Sequence, residues 1–277
     1  MADRPATQLD KSEVLDALFA CWEGIDRLLT DVPDVEWTNP TPLPGWCTRD
    51  VVAHLIGTES MLSGIATPEA DVDVSGLAHV HNAVGVLNEC WVRHFDGATA
   101  AAVLERFRGV TAGRRETLTA MSDDEWTTVT TTPAGPDTYG RFMRIRIFDC
   151  WMHEQDIREA VARPSSDAEL ETSTSGLALD EMAASLGFVV GKLGKAPDGS
   201  RVAIELTGPL ARTFRVEVDG RAKVVDAFAG DPTTTIRLDG RQFTRMCGGR
   251  PGATADVEVE GDAELGRRIV DNLAYVI

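Results

Sequence analysis

This chain is read as an α+β protein, with a helical bundle first and a small sheet-and-helix domain after it. Three observations point there. Apolar residues recur at helical spacing from Lys11 to about Arg163. Past that point the texture turns to strand-like alternation, with Gly-Pro and Asp-Gly turns between the runs. Between the two halves, Pro164-Ser-Ser-Asp167 has the composition of a connection. Domains are expected at 8–163 and 175–277, with a linker at 164–174.

The elements follow in order. Val14, Leu15, Leu18, Phe19, Trp22, Ile25, Leu28 and Leu29 form one apolar stripe, so a first helix is expected to run until just before Pro33. Asn39-Pro-Thr-Pro-Leu-Pro-Gly-Trp46 is too proline-rich to be helical. Thr48 caps a second helix with Asp50 in its first turn, where the helix dipole favours an acid, and the stripe continues to Ile65. A third helix is expected from about Leu77 to Phe95 and a fourth from about Thr99 to Met121. A Thr/Pro/Gly-rich connection spans Ser122 to Asp137, and a long helix runs from about Tyr139 to Val161. In the second half, one helix (about Ser175 to Leu193) precedes strands at Arg201–Thr207, Thr213–Val218, Thr234–Leu238 and Ala255–Glu260. Short helices near Gln242–Cys247 and Ala263–Leu273 complete it.

Composition excludes several roles. The 277 residues carry 44 Asp plus Glu against 27 Lys plus Arg, a net charge of -17. Such a surface repels phosphate backbones and anionic lipid, so neither nucleic acid nor a membrane is expected as a partner. No run approaches the ~20 apolar residues that span a bilayer, and Met1 to Gln8 carry no apolar signal-type core. The five cysteines (21, 47, 90, 150, 247) are odd in number and never spaced C-x-x-C. Reduced thiols in a cytoplasmic protein fit that pattern, and a disulfide scaffold does not.

The histidines narrow the chemistry. There are five, at 54, 79, 81, 94 and 153. His54 lies at the edge of the second helix's stripe. His153 follows Asp149 by four residues on the long helix, so carboxylate and imidazole share a face, with Asp156 one turn on. Acids and a histidine on an inward face cost free energy unless paired. Two facing helices offering His54, Asp149 and His153 would supply three N/O ligands, the count of a catalytic zinc site with one open position. Asp156 would then accept the second ring N–H of His153. A helix-surface ion pair and a satisfied core histidine explain the same spacings. His79 and His81, two apart on a helix, make a poor chelate; His94 is expected in solvent. Trp22, Trp91 and Trp151 read as bundle core. No G-x-S-x-G and no phosphate loop occurs, and Cys150 points away from the Asp149/His153 face.

Two segments carry a resemblance. Thr41-Pro-Leu-Pro-Gly-Trp-Cys-Thr-Arg-Asp-Val-Val-Ala-His54-Leu and Arg146-Ile-Phe-Asp149-Cys-Trp-Met-His153-Glu-Gln-Asp156-Ile resemble the mycothiol-dependent maleylpyruvate isomerase family of DinB-like metal-binding bundles. That resemblance implies a DinB-like up-down four-helix bundle followed by a sterol-carrier-like α+β domain. It implies His54, Asp149 and His153 as ligands of Zn2+ or another divalent metal, with Asp149 standing where the family pattern has glutamate. It also implies a functional arginine in the second domain. Phe243-Thr-Arg-Met-Cys-Gly-Gly-Arg250 resembles the family's Gly-Arg segment, so Arg250 is the catalytic candidate and Arg241 a weaker one.

The implied activity is that of an actinobacterial enzyme that activates mycothiol, or a similar low-molecular-weight thiol, against a small electrophilic substrate. Thiolate addition followed by rotation and expulsion gives cis–trans isomerisation; release of the adduct gives S-transfer. The ligand set does not choose between isomerase and transferase. Two other readings remain open: a non-catalytic, metal-stabilised small-ligand-binding protein, and a hydrolase using Glu59 as base beside metal-bound water.

Overall fold

The computed structural model describes residues 6–252 and 256–275. The expectations that fell on Met1–Pro5 and on Ala255 lie outside the described residues. The chain divides into two compact units, Met1–Pro164 and Ser165–Ile277.

The first unit is helical. It comprises α1 (Lys11–Thr30), α2 (Thr48–Leu62), α3 (Ala83–His94), α4 (Ala100–Ala120), α5 (Asp123–Thr127) and α6 (Tyr139–Ala160). α1 packs on α6 and α4, and α2 packs on α4, α6 and α3. Thus α1, α2, α4 and α6 make the four-helix core, with α3 against α2. Side-chain caps define most of the starts: Asp10, Asn82, Thr99 and Thr138 each accept from the backbone N–H three residues on. Val14, Leu18, Trp22 and Ile25 of α1 are buried together with Met143, Ile147, Cys150 and Ile157 of α6. The helical periodicity therefore reports a real core.

Three expectations change here. α2 stops at Leu62, because Gly64 takes a left-handed φ of +77° and turns the chain; Ile65 is consequently outside the helix and exposed. α3 begins at Ala83 and not near Leu77, since Asn82 caps it. His79 and His81 therefore sit in the irregular segment before α3. The connection at 122–137 is ordered: Ser122 and Glu125 form a capping box that starts α5, and β1 (Val129–Thr132) pairs antiparallel with β2 (Gly135–Thr138).

The second unit begins with α7 (Asp167–Leu170) and α8 (Ser173–Ala183), so ordered helix occupies much of the expected linker. A Ser166/Glu169 capping box nucleates α7. The long helix expected to Leu193 is broken into α8, α9 (Leu186–Phe188) and a π-helical turn at Val189–Leu193. Gly187 and Gly191 lie there against Ala222; a Cβ on Gly191 would come 2.6 Å from the Ala222 Cβ. Then follow β3 (Arg201–Thr207), β4 (Arg212–Asp219), β5 (Arg221–Val224), β6 (Thr234–Asp239), α10 (Gly240–Cys247), β7 (Glu258–Gly261) and α11 (Ala263–Val270). The sheet order is β5-β4-β3-β6-β7, with β3 and β6 parallel and the other pairs antiparallel. β5 was not foreseen: it is a four-residue, mostly exposed edge strand, too short to show alternation. Val202, Ile204, Phe214, Val216, Ile236 and Leu238 form the buried face.

Candidate metal centre

α2 brings His54 and α6 brings Asp149 and His153 to one place inside the first unit. One ligand atom from each lies within 4.8 Å of the others. His54 Nε2 is 3.3 Å from Asp149 Oδ2, and His153 Nε2 is 3.5 Å from Asp149 Oδ1. The imidazoles meet edge to face, with centroids 4.9 Å apart. Both histidines are buried and Asp149 is half-buried. The i,i+4 spacing on α6 supplies the Asp149/His153 half of this group, and only the α2–α6 packing supplies His54.

The electrostatics separate the three side chains. Burial opposes charge on Asp149, yet Arg146 and the two imidazoles outweigh it and hold the carboxyl well below the ordinary range. Burial lowers the pKa of His54, with Asp149 working the other way. Burial also disfavours charge on His153, but Asp149 and Asp156 prevail and raise its pKa. Asp156 Oδ2 lies 3.0 Å from His153 Nδ1, which leaves Nε2 as the ring nitrogen facing His54 and Asp149. His54 Nδ1 is buried without a hydrogen-bond partner among the described residues.

Several contacts around these three were not anticipated. Arg146, one turn before Asp149, donates through one terminal nitrogen to Asp149 and through Nε to Glu59 at 2.9 Å. Glu59 is buried and also accepts from Arg114 Nε at 3.0 Å. This carboxylate is committed to two guanidinium groups, which removes it as a hydrolytic base. Trp46, of the proline-rich loop, stacks beside the pair, its ring centroid 5.4 Å from that of His54 and 6.5 Å from that of His153. Its Nε1 donates to the buried Glu89, which also receives His79 Nε2 and Arg93 Nε, each at 3.1 Å. His79 thus serves a carboxylate on α3. The i,i+3 relation of Arg146 to Asp149 was readable in the sequence; the partners Glu59, Arg114 and Glu89 carried no local signal.

Three of the cysteines, Cys21, Cys47 and Cys150, are not poised as nucleophiles. Burial drives the Cys150 thiol up to about 12 and the Cys21 thiol well above its ordinary value. Burial and Asp50 also raise Cys47. Cys150 Sγ lies 3.6 Å from an Arg146 nitrogen, on the core side. In the second unit, Arg250 follows α10, is half-buried and donates to the Gly248 carbonyl at 2.5 Å. Arg241 pairs with Asp167 at 2.7 Å.

Residues 18–158 match the profile described as the mycothiol maleylpyruvate isomerase N-terminal domain, and residues 176–268 match that of the corresponding C-terminal domain. The chain belongs to this family. An uncharacterized protein of Mycobacterium tuberculosis, in strains CDC 1551/Oshkosh and H37Rv, is 26% identical over 216 residues, 76% of this chain and 78% of the relative. A crystal structure of the mycothiol-dependent maleylpyruvate isomerase superposes with a TM-score of 0.60 at 17% identity, covering 91% of this chain and 93% of that one. A histidine-to-alanine mutant of it gives 0.59 at 16%, with the same coverage. These structures establish likeness of fold. Membership of the mycothiol maleylpyruvate isomerase family makes the chain an isomerase-like enzyme with its substrate open.

Proposed function

We propose that this member of the family holds a divalent metal, zinc in the first instance, on His54, Asp149 and His153. There it would activate mycothiol or a similar small thiol against a small electrophilic acid of the maleylpyruvate type. The single observation that carries the reading is the convergence of two imidazoles and one carboxylate within 4.8 Å. The donors fit the group: two nitrogens and one oxygen suit zinc, and three protein ligands leave a position for an incoming thiol. Bound there, the ion would supply a Lewis acid that keeps the thiol deprotonated near neutral pH.

The chain's own residues do the rest. Asp156 accepts a hydrogen bond from His153 Nδ1–H and leaves the Nε2 lone pair free to ligate. Arg146 keeps Asp149 ionised. Burial keeps His54 neutral and its lone pair available. Cys21, Cys47 and Cys150 are all raised, so none of these three is poised to attack, and the nucleophile in this reading is the external thiol. Thiolate addition to a conjugated double bond forms a C–S bond and leaves a single bond free to rotate. Expulsion of the thiolate then restores the double bond in the other geometry, and release of the adduct is S-transfer. Arg250 is proposed as the cation for a substrate carboxylate. The reading sets the reaction in the cytoplasm, where such a thiol is kept reduced.

The test is metal content and thiol binding of wild type beside His153→Ala. The expected outcome is about one metal per chain, with loss of both metal and thiol binding in the variant. Wild-type chain that is metal-free as purified and refuses added zinc overturns the reading.

A further inference from the structure

The two halves of the candidate centre come from different helices, and one buried ion pair ties those helices beside it. Glu59 lies five residues after His54 on α2, and Arg146 lies three residues before Asp149 on α6. Their side chains are 1% and 4% exposed and meet at 2.9 Å. All three nitrogens of the Arg146 guanidinium have partners. Nε donates to Glu59, one terminal nitrogen to Asp149, and the other lies 3.6 Å from Cys150 Sγ. The orientation of the planar fork is therefore set from three sides. Glu59 is held in turn by Arg114, whose terminal nitrogen donates to the Tyr139 hydroxyl at 3.0 Å. Along this row the charges alternate from Arg114 through Glu59 and Arg146 to Asp149.

We propose that Arg146, seated on Glu59, is the positioning residue of the metal centre, fixing the Asp149 carboxylate between His54 and His153. An aspartate is short, and its carboxylate must be aimed by something other than its own reach. Arg146 engages Asp149 Oδ2, the oxygen that also faces His54, while Oδ1 faces His153. Left to itself, a guanidinium at this position would compete with a metal ion for the carboxylate. Glu59 offsets that charge, so Arg146 orients Asp149 without withdrawing it. The same pair sets the separation of α2 from α6 and hence of His54 from the other two ligands. A hydrogen-bonded partner of a metal-ligating side chain is typically worth ~10–100-fold in metal affinity.

The inference rests on the metal reading above, and its test separates the two. Zn2+ affinity is measured by chelator competition, and the absorption spectrum of the Co2+-loaded protein reports ligand geometry. Wild type, Arg146→Met and Arg146→Lys are compared, with thermal melts of the metal-free proteins. Arg146→Met should bind Zn2+ ~10–100-fold more weakly and change the Co2+ spectrum. Arg146→Lys keeps the cation that Glu59 requires but gives up the fork, and should fall between. A purely structural ion pair would lower the melting temperature and leave affinity and spectrum alone. Wild-type affinity and spectrum in Arg146→Met overturn the proposal. If that variant does not fold, the same result in Arg146→Lys overturns it. Wild-type protein that takes up neither ion fails the metal reading first, and this inference with it.

Discussion

At Asp137 a single carboxylate ties the start of the chain to the end of the β1–β2 hairpin. It accepts from the Thr7 N–H at 2.7 Å, the Thr7 hydroxyl at 2.8 Å, the Thr138 N–H at 2.8 Å and Arg141 at 3.0 Å. Burial opposes the charge, but these donors outweigh it and bring the pKa down from 3.8 to about 2. Because the folded value is the lower one, the contribution is present above the unfolded pKa and is lost as pH falls through the folded value. It should amount to about 2 kcal/mol at neutral pH. Denaturant titrations of wild type and Asp137→Asn at pH 7 and again near pH 2 measure it. A gap that stays constant across that range would contradict the assignment. The candidate metal centre uses the same chemistry differently: at Asp149 and His153 opposite charges outweigh burial, whereas at His54 burial wins.

The packing of α2 against α3 depends on a missing side chain. Gly57 lies inside α2, and a Cβ there would come 2.4 Å from Trp91 Cγ of the buried Trp91. Glycine in a helix interior normally costs ~1 kcal/mol relative to alanine. Here the sign should reverse, because the indole cannot withdraw from a filled core. Gly57→Ala is expected to destabilise the protein by ~1–3 kcal/mol, the cost of overpacking; a gain in its denaturation midpoint would refute this. The same helix pair also holds the loop residue Trp46 that lies against His54. Glu89 on α3 receives Trp46 from the loop before α2 and His79 from the segment after it, while Gly45 at φ +83° leaves room for the His79 ring. A Cβ on Gly45 would lie 2.8 Å from that ring.

Across the whole chain, the proposed roles divide between the units. The three candidate ligands lie in Met1–Pro164 and Arg250 in Ser165–Ile277. A ligand that binds only the folded state raises stability by RT ln(1 + [L]/Kd), about 2.7 kcal/mol at a hundredfold excess over Kd. Zinc should therefore raise the unfolding midpoint of wild type and of Arg250→Ala alike, and turnover should fall only in the latter. Loss of the zinc effect in Arg250→Ala would contradict this division of roles.

Much of this was legible in local spacing. Helical periodicity located α1, α4 and α6 to within a residue or two of their observed ends, because each helix buries one continuous stripe. The proline loop and the Asp149–His153–Asp156 series marked the site, since those partners are neighbours on one helix or adjoin its start. Breaks caused by close approach were not legible: Gly187 and Gly191 interrupt a helical pattern only because Ala222, some thirty residues on, packs against them. Nor was the row Arg114–Glu59–Arg146, whose members come from three helices and are brought together by the bundle. The amino-acid sequence by itself determined which side chains could ligate and which helices carry them, because that chemistry is set within a turn or two. Only the tertiary structure decided that His54 meets Asp149 and His153 and that Arg146 is aimed by Glu59, because those contacts depend on how helices far apart in the chain pack.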